Sequence, residues 1–367
     1  MRKLLHLALA VMMVTSITAC GGKKEEAAAP AAAAAGAAKS EATTAAEAAK
    51  PEYTLKLSGT VTDGHLVTET EKYFIKRVEE LSNGRIKVEH YPNNQLGDPR
   101  SMLEATIMGN HDIVECGLPQ YAQFTNLLKF FNLPFLWETR DAAYGFMSTD
   151  TGKELSKKVE EEVGVHILGF IDNGFFDFTT NRKVESPADV KGLKLRCQES
   201  DVLLRIWSDL GASPLPMSFT EVYTALQQGA IDGQMNGYVT NFNSNYFEVQ
   251  DYTVKIGLLF DVCPLAINAD TYNAMPDDLK KALDQAGAEM QQWCMDNARQ
   301  ANKEAAEGWV KAGGQIIDVT GNLQPWKDAT QATYEWLRTS FPEVDLDSIL
   351  EEVKKLNEQY ADVEEVI

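Results

Sequence analysis

Basic residues are scarce in this sequence relative to acidic ones. The 367 residues include 34 lysines and arginines against 54 aspartates and glutamates, and the formal net charge at pH 7 is −20. Such a surface repels phosphate backbones, whereas proteins that bind nucleic acids usually carry a basic patch. The composition therefore argues against a nucleic acid as a partner.

The sequence also lacks the short motifs that mark common catalytic and metal sites. It contains no GxSxG, HExxH, GxxxxGK[ST] or GxGxxG pattern and no CxxC pair. The four histidines that follow residue 50 never stand at metal-ligand spacing. We therefore expect no metal, no cofactor and no enzymatic activity, although a pair of carboxylates can act without leaving a local motif.

Cysteines are few and scattered beyond the N-terminal segment. They stand at Cys116, Cys197, Cys263 and Cys294. An exported chain meets oxidising conditions, so one or two disulfides are open to it, but a body of this size does not need covalent cross-links. The sequence does not choose between disulfides and four buried thiols.

Only the N-terminus combines an apolar run with the features of an export signal. Arg2 and Lys3 precede an apolar run over residues 4–14, which is too short to span a bilayer as a permanent helix. Small residues then lead to Cys20, and this ending resembles the lipobox of bacterial lipoproteins. The resemblance implies a signal peptide over residues 1–19 and a lipid on Cys20, which would anchor an extracytoplasmic protein to a membrane. Ordinary signal cleavage beside an incidental cysteine is the alternative.

Residues 20–50 are predicted to form a disordered tether. Half of residues 21–50 are alanine, and none carries a large apolar side chain. Such a segment buries too little area to offset the entropy of ordering. The predicted organisation is therefore a signal peptide (1–19), a lipidated tether (20–50) and a folded body (51–367).

The folded body alternates short strands with helices. This alternation predicts an α/β fold with largely parallel sheets. We expect two lobes that are discontinuous in sequence, with crossovers roughly after residue 170 and again near residue 260. The predicted strands lie at 54–61, 85–91, 112–116, 165–171, 175–181 and 193–197, and the predicted helices at 66–82, 98–109, 201–210 and 277–312.

Three stretches of this body carry a resemblance to a known family. They are SPADVKGLKLRCQES (186–200), MSFTEVYTALQQGAIDGQMNG (217–237), and NQLGDPRSMLEA (94–105) with NLPFLWET (132–139). Over residues 52–340 the chain resembles the solute-binding proteins of tripartite ATP-independent periplasmic (TRAP) transporters. The resemblance implies a two-lobed periplasmic-binding-protein-like α/β fold, with a ligand cleft between the lobes and one long scaffolding helix.

The same resemblance implies a function. It indicates an extracytoplasmic receptor that captures a small organic acid and delivers it to TRAP membrane subunits, with uptake driven by an ion gradient. Two alternatives stand beside it. One is a ligand-sensing lipoprotein of the same fold that signals to a membrane sensor, and the other is a surface hydrolase.

Three residues match the family's ligand-binding positions. Arg196 matches the arginine that pairs with the ligand carboxylate, and a guanidinium offers a flat fork suited to two carboxylate oxygens. Asn236 matches the asparagine that hydrogen-bonds the same carboxylate, although its neighbours Met235 and Gly237 differ from the family pattern. Phe219 matches an aromatic residue that walls the pocket. A core position at a helix start is the alternative for Phe219.

One departure from the family pattern bears on the ligand. Many members carry a second arginine where this chain has Phe176. The resemblance therefore predicts that Phe176 walls the pocket and that the ligand is a monocarboxylate with an apolar, aromatic or sugar-like body. A simple core position for Phe176 is the alternative.

Weaker candidates follow the predicted strands. His65, Asp98 and Cys116 lie after or at the ends of the first three strands, and ligands of open α/β sheets bind beyond such ends. Gln198 and Glu199 follow the predicted ligand-binding arginine. We expect these side chains to reach the ligand or its hydroxyl groups.

Overall fold

The computed structural model describes residues 50–363 of the chain. The predicted signal peptide, Cys20 and almost all of the predicted tether lie outside the described residues. Within 50–363, no helix is both long enough and apolar enough to cross a membrane.

Strands and helices alternate through the described chain. The strands are β1 (Tyr53–Ser58), β2 (Ile86–Tyr91), β3 (Ile113–Glu115), β4 (Val165–Thr180), β5 (Lys194–Cys197), β6 (Ser213–Pro216), β7 (Gly233–Asn236), β8 (Tyr252–Asn268) and β9 (Gln315–Asp318). The α-helices are α1 (Leu66–Leu81), α2 (Pro99–Ile107), α3 (Leu118–Tyr121), α4 (Arg140–Ser148), α5 (Asp150–Val163), α6 (Pro187–Val190), α7 (Asp201–Asp209), α8 (Val222–Gln227), α9 (Tyr238–Asn243), α10 (Ala269–Asn273), α11 (Asp277–Lys311), α12 (Gln324–Ser340) and α13 (Leu346–Gln359). Short 3₁₀ turns occupy Lys129–Asn132, Phe219–Glu221, Tyr246–Glu248 and Thr320–Asn322.

All nine of these strands belong to one sheet of mixed direction. The order is β2-β1-β3-β8-β4-β7-β5-β6, and β9 pairs with β8. The outer strands pair in parallel, but β8 is antiparallel to β3 and β4, and β4 is antiparallel to β7. The expectation of largely parallel sheets is therefore wrong at the centre, because the chain passes along β4 and comes back along β8.

The two central strands are much longer than the others. β4 has 16 residues and β8 has 17, and the expected crossover points near residues 170 and 260 fall inside them. The register between them shifts at three places, after Ile167, Asp172 and Phe176. Such bulges bend and twist a strand pair, and here they join two segments that the sequence pattern suggested as separate strands.

Two large apolar clusters include residues of this central pair. One contains Phe74 of α1 and Leu283 of α11 together with apolar residues of β1, β2 and β3. The other contains Phe178 of β4, Trp207 of α7 and Trp326 of α12. The larger cluster also includes Met102 of α2 and Val114 of β3, so it extends along the central strands into both halves of the sheet.

The long helix α11 lies directly against the backbone of β4. A Cβ atom added at Gly287 would stand 2.0 Å from the carbonyl oxygen of Leu168, and one added at Gly169 would stand 2.9 Å from the carbonyl oxygen of Gly287. Glycine at both positions therefore permits the close approach. The predicted scaffolding helix over 277–312 is confirmed.

We predict that Gly287→Ala lowers the free energy of unfolding by about 1–3 kcal/mol, because the added methyl group overlaps backbone that has little freedom to move. Alanine is about 1 kcal/mol more favourable than glycine inside a helix, and the expected decrease in the free energy of unfolding already includes this gain. The control is Gly321→Ala, where no atom lies within 4 Å of the added carbon. Equal denaturant midpoints for the two variants would contradict the close packing.

Candidate ligand-binding site

A small cavity lies where both halves of the sheet meet. It encloses about 50 Å³ and is lined by Thr60 and Glu115 from one half and by Gln198, Phe219 and Asn236 from the other. These residues stand at or just beyond the carboxyl ends of β1, β3, β5 and β7, apart from Phe219. The strands of the two halves run toward each other, so their carboxyl ends meet at the cavity, where ligands bind in such sheets.

A wider groove of about 520 Å³ adjoins this cavity. It is lined by His65, Asn94, Tyr223 and Tyr246, among others, and Phe219 lines both spaces. Phe219 is half-buried in a 3₁₀ turn. The ring is therefore positioned as a wall between the inner cavity and the outer groove.

Arg196 is buried on β5. Its neighbours Leu195 and Cys197 belong to the apolar core, so strand alternation directs Arg196 to the opposite face. The side chain is 1% exposed, and its Nε donates a hydrogen bond to the carbonyl oxygen of Met217 at 3.0 Å. Its Nη1 is buried without a hydrogen-bond partner.

The other buried cations of the described chain each have a carboxylate partner. Nη1 of Arg140 lies 3.3 Å from Oδ2 of Asp172, and Nζ of Lys129 contacts Oδ2 of Asp201. Among residues 50–363, Arg196 has no carboxylate oxygen within 4 Å. Burial lowers the pKa of its guanidinium, but an arginine stays charged in proteins. The carboxylates of Glu199 and Glu221 act on it only from beyond 4 Å. A buried charge without a close partner costs several kcal/mol, so this position is suited to an incoming anion.

Asn236 is held at the cavity by a network of amides. Its Nδ2 donates to Oε1 of Gln234, and Nε2 of Gln234 donates to Oδ1 of Asn241 at 2.8 Å and to Oγ1 of Thr179 at 3.2 Å. Nδ2 of Asn241 donates in turn to the carbonyl oxygen of Asn236 at 3.1 Å. Gln234 pairs directly with Arg196 in the parallel β5–β7 register. The network therefore fixes the amide of Asn236 next to the strand of the buried arginine.

Arg196 is not among the cavity-lining residues, but Gln198 lines the cavity two positions further on. Gln198 is 8% exposed, and its Oε1 is buried without a hydrogen-bond partner. Of the three residues implied by the family resemblance, Asn236 and Phe219 line the cavity, whereas Arg196 is buried on the strand that leads to Gln198.

The structure does not support the expectation that Phe176 walls the pocket. Phe176 is 0% exposed and packs within the larger apolar cluster. Asn173 lines the cavity from β4 instead. The register shifts after Asp172 and Phe176 decide which β4 side chains face the cavity, and a sequence pattern does not show them.

Cys116 is likewise a core residue and not a cavity residue. It is 0% exposed, and burial raises the pKa of its thiol. The flanking residues Glu115 and Gly117 line the cavity. Successive side chains of a strand point to opposite faces, so Cys116 faces the core when Glu115 and Gly117 face the cavity.

His65 connects the two halves of the sheet next to the cavity. Its Nδ1 accepts a hydrogen bond from the backbone amide of Val67 at 3.1 Å, and its Nε2 lies 3.1 Å from Oγ1 of Thr240, a cavity-lining residue on α9. Burial lowers the pKa of His65 to about 3. The imidazole is therefore neutral, with its proton on Nε2.

Asp98 and Glu199 have contacts of their own near the rim. Oδ1 of Asp98 accepts hydrogen bonds from the amides of Arg100 and Ser101 at 3.1 Å each, so Asp98 caps α2 as its sequence context predicted. Oε2 of Glu199 lies 3.9 Å from Nη1 of Arg100. Neither residue lines the cavity.

Several cavity residues escaped the sequence analysis. They are Thr60, Glu115, Gln120, Asn173 and Thr240. A signal existed for Glu115, since an acidic residue inside the apolar run DIVEC is out of place in a core strand. The four cysteines of the described chain are free and buried, and no group of three or more possible metal ligands occurs within residues 50–363.

Comparison with known proteins identifies the family. The profile of the bacterial extracellular solute-binding proteins, family 7, matches residues 57–339. The chain belongs to this family. Its members are solute receptors and not enzymes, which agrees with the resemblance drawn from the three sequence stretches.

Individual relatives cover most of the chain. The C4-dicarboxylate-binding periplasmic protein DctP of Vibrio cholerae serotype O1 is 33% identical over 298 residues, which span 79% of this chain and 88% of that protein. The sugar acid binding protein DctPAm from Advenella mimigardefordensis, in complex with galactonate, superposes with a TM-score of 0.79 at 25% identity over 83% of this chain and 98% of that chain. A TRAP periplasmic solute-binding protein from Shewanella oneidensis with bound succinate superposes with a TM-score of 0.78 at 26% identity. The match covers 84% of this chain and 100% of that chain.

Proposed function

We propose that this family 7 protein is the extracytoplasmic receptor of a TRAP transporter and binds a small organic acid through a carboxylate group. The buried guanidinium of Arg196, without an acidic partner in the described chain, is the observation that carries the proposal. Asn236 and Gln198 add amide groups beside it. The relatives with galactonate and succinate are organic acid receptors of the same fold.

The physical basis is compensation of charge in a site shielded from water. A carboxylate paired with Arg196 supplies the missing negative charge and accepts from Nη1, and the two groups match in planar geometry. The cavity lies between the lobes, so a ligand there contacts both. Opening and closing of the lobes would then control its access.

Delivery to TRAP membrane subunits and anchoring by a lipid on Cys20 complete the proposal. The first rests on the family, since relatives are TRAP periplasmic solute-binding proteins. The second rests on the lipobox-like ending before Cys20 and the alanine-rich segment after it. A tether of that length would let the folded body capture solute at a distance from the membrane subunits and then reach them, while the protein stays anchored to the membrane.

We predict that Arg196→Ala weakens binding of the preferred organic acid at least about tenfold, since a hydrogen bond to a charged group contributes about 1.5–3 kcal/mol. Arg196→Lys should recover only part of the affinity, because a point charge does not reproduce the planar fork. Titration calorimetry over a panel of galactonate, succinate and related acids measures the effect. The control is Arg182→Ala, an exposed arginine. Wild-type affinity in Arg196→Ala would place the carboxylate site elsewhere.

We predict that Cys20→Ser releases the protein from membranes without changing its ligand affinity, because the acylated thiol is the proposed anchor. Fractionation of cells into soluble and membrane parts measures the release, and calorimetry on the soluble form measures the affinity. Ser40→Ala, a small change in the tether, serves as the matched control. A Cys20→Ser protein found entirely with the membranes would rule out lipid anchoring at this residue.

A further inference from the structure

A buried carboxylate lies in the wall of the ligand cavity. Glu115, at the end of β3, is 0% exposed and lines the cavity. Its Oε2 accepts hydrogen bonds from the backbone amide of Thr60 at 2.9 Å and from Oγ1 of Thr60 at 2.7 Å. Its Oε1 is buried without a hydrogen-bond partner, and the adjacent polar group is the thiol of Cys263, a weak donor.

The surroundings of Glu115 hold two further acids, and His90 is the basic group that interacts with it. No lysine or arginine nitrogen of residues 50–363 lies within 4 Å of its carboxylate. Two further buried acids interact with it: Glu71, whose Oε2 lies 2.8 Å from Nε2 of His90, and Asp261, which accepts from Nδ2 of Asn173 at 2.9 Å. Burial, with repulsion from Glu115 as a smaller cause, raises the pKa of Glu71 to about 7 and that of Asp261 to about 6.

The site therefore has opposite requirements in its two halves. Beside β5 it offers the unpaired donor Nη1 of Arg196, and at the end of β3 it offers the unpaired acceptor Oε1 of Glu115. Burial raises the pKa of Glu115 itself. A second carboxylate placed against it would lose its hydration in a medium of low dielectric constant, and it would meet like charge whenever Glu115 is ionised. A hydroxyl or ammonium group there would instead satisfy a buried acceptor.

We propose that Glu115 determines ligand specificity by accepting a hydrogen bond from a donor group at the far end of the ligand and by excluding a second carboxylate. The preferred ligands are monocarboxylates that carry a hydroxyl or ammonium group, and dicarboxylates are disfavoured. This inference rests on the proposed function, because it takes Arg196 as the carboxylate anchor. The family resemblance attributes a preference for monocarboxylates to Phe176, and this proposal attributes the same preference to Glu115.

Matched acids that differ only at the far end test the proposal. Galactonate and galactarate share a six-carbon hydroxylated chain and end in a hydroxyl or a second carboxylate, and 4-hydroxybutyrate and succinate form the corresponding four-carbon pair. One of the two pairs should match the size of the site. For that pair, we expect calorimetry on the wild-type protein to show at least about tenfold tighter binding of the hydroxyl-terminated acid than of the dicarboxylate. Substituting 4-aminobutyrate for 4-hydroxybutyrate shows whether the donor is an ammonium group.

The Glu115→Gln variant tests the role of the residue itself. Glutamine keeps the shape and an acceptor but removes the charge and adds a donor, so it should reduce the ratio of the two affinities at least about tenfold, mainly by strengthening dicarboxylate binding. The control is Glu351→Gln, an exposed glutamate on α13. Circular dichroism checks the fold, and if the variant does not fold, the wild-type ratio still decides the outcome.

The outcomes separate this proposal from the proposed function. Tighter binding of the dicarboxylate by the wild-type protein, or a ratio unchanged in Glu115→Gln, overturns the role of Glu115 and leaves the receptor function standing. Loss of both members of a pair in Arg196→Ala supports the anchor independently of Glu115. Failure of every acid in the panel to bind the wild-type protein overturns the receptor function and this inference with it.

Discussion

An arginine buried without a carboxylate partner is the constraint on which the ligand site depends. The fold removes Arg196 from water, leaves Nη1 without a partner and satisfies only Nε through the carbonyl oxygen of Met217. Other ion pairs of the described chain show that this sequence can supply partners to buried cations, as it does for Arg140 and Asp172. A charge kept unpaired at such a cost is explained by a function that brings in an anion.

The antiparallel pair β4–β8 brings the two ends of this site together. Strands on either side of the pair run toward its centre, so the carboxyl ends of β1 and β3 face those of β5 and β7. The helix α11 packs on β4 through Gly287 and Gly169 and gives this frame a rigid support. Polar residues of both halves thereby line one cavity, and the hydrogen bond from His65 to Thr240 joins the halves beside it.

Local patterns predicted the features that depend on neighbouring residues. Asp98 followed by Pro99 predicts the start of α2, because the carboxylate caps the first amides and proline fits the first turn. The family motifs single out Arg196 and Asn236, and the structure buries both side chains. The sequence did not reveal the path of β8, whose nearly continuous burial hides any alternation. Phe176 lies in the core, because register shifts in β4, set by long-range pairing, decide which of its side chains face the cavity.

The most direct test of the central claim is a crystal structure of the protein with the organic acid that binds it most tightly. The account predicts that the ligand carboxylate lies in the cavity between the lobes, with its oxygens about 2.7–2.9 Å from guanidinium nitrogens of Arg196. A carboxylate bound away from Arg196, with Nη1 still lacking a partner, would contradict it.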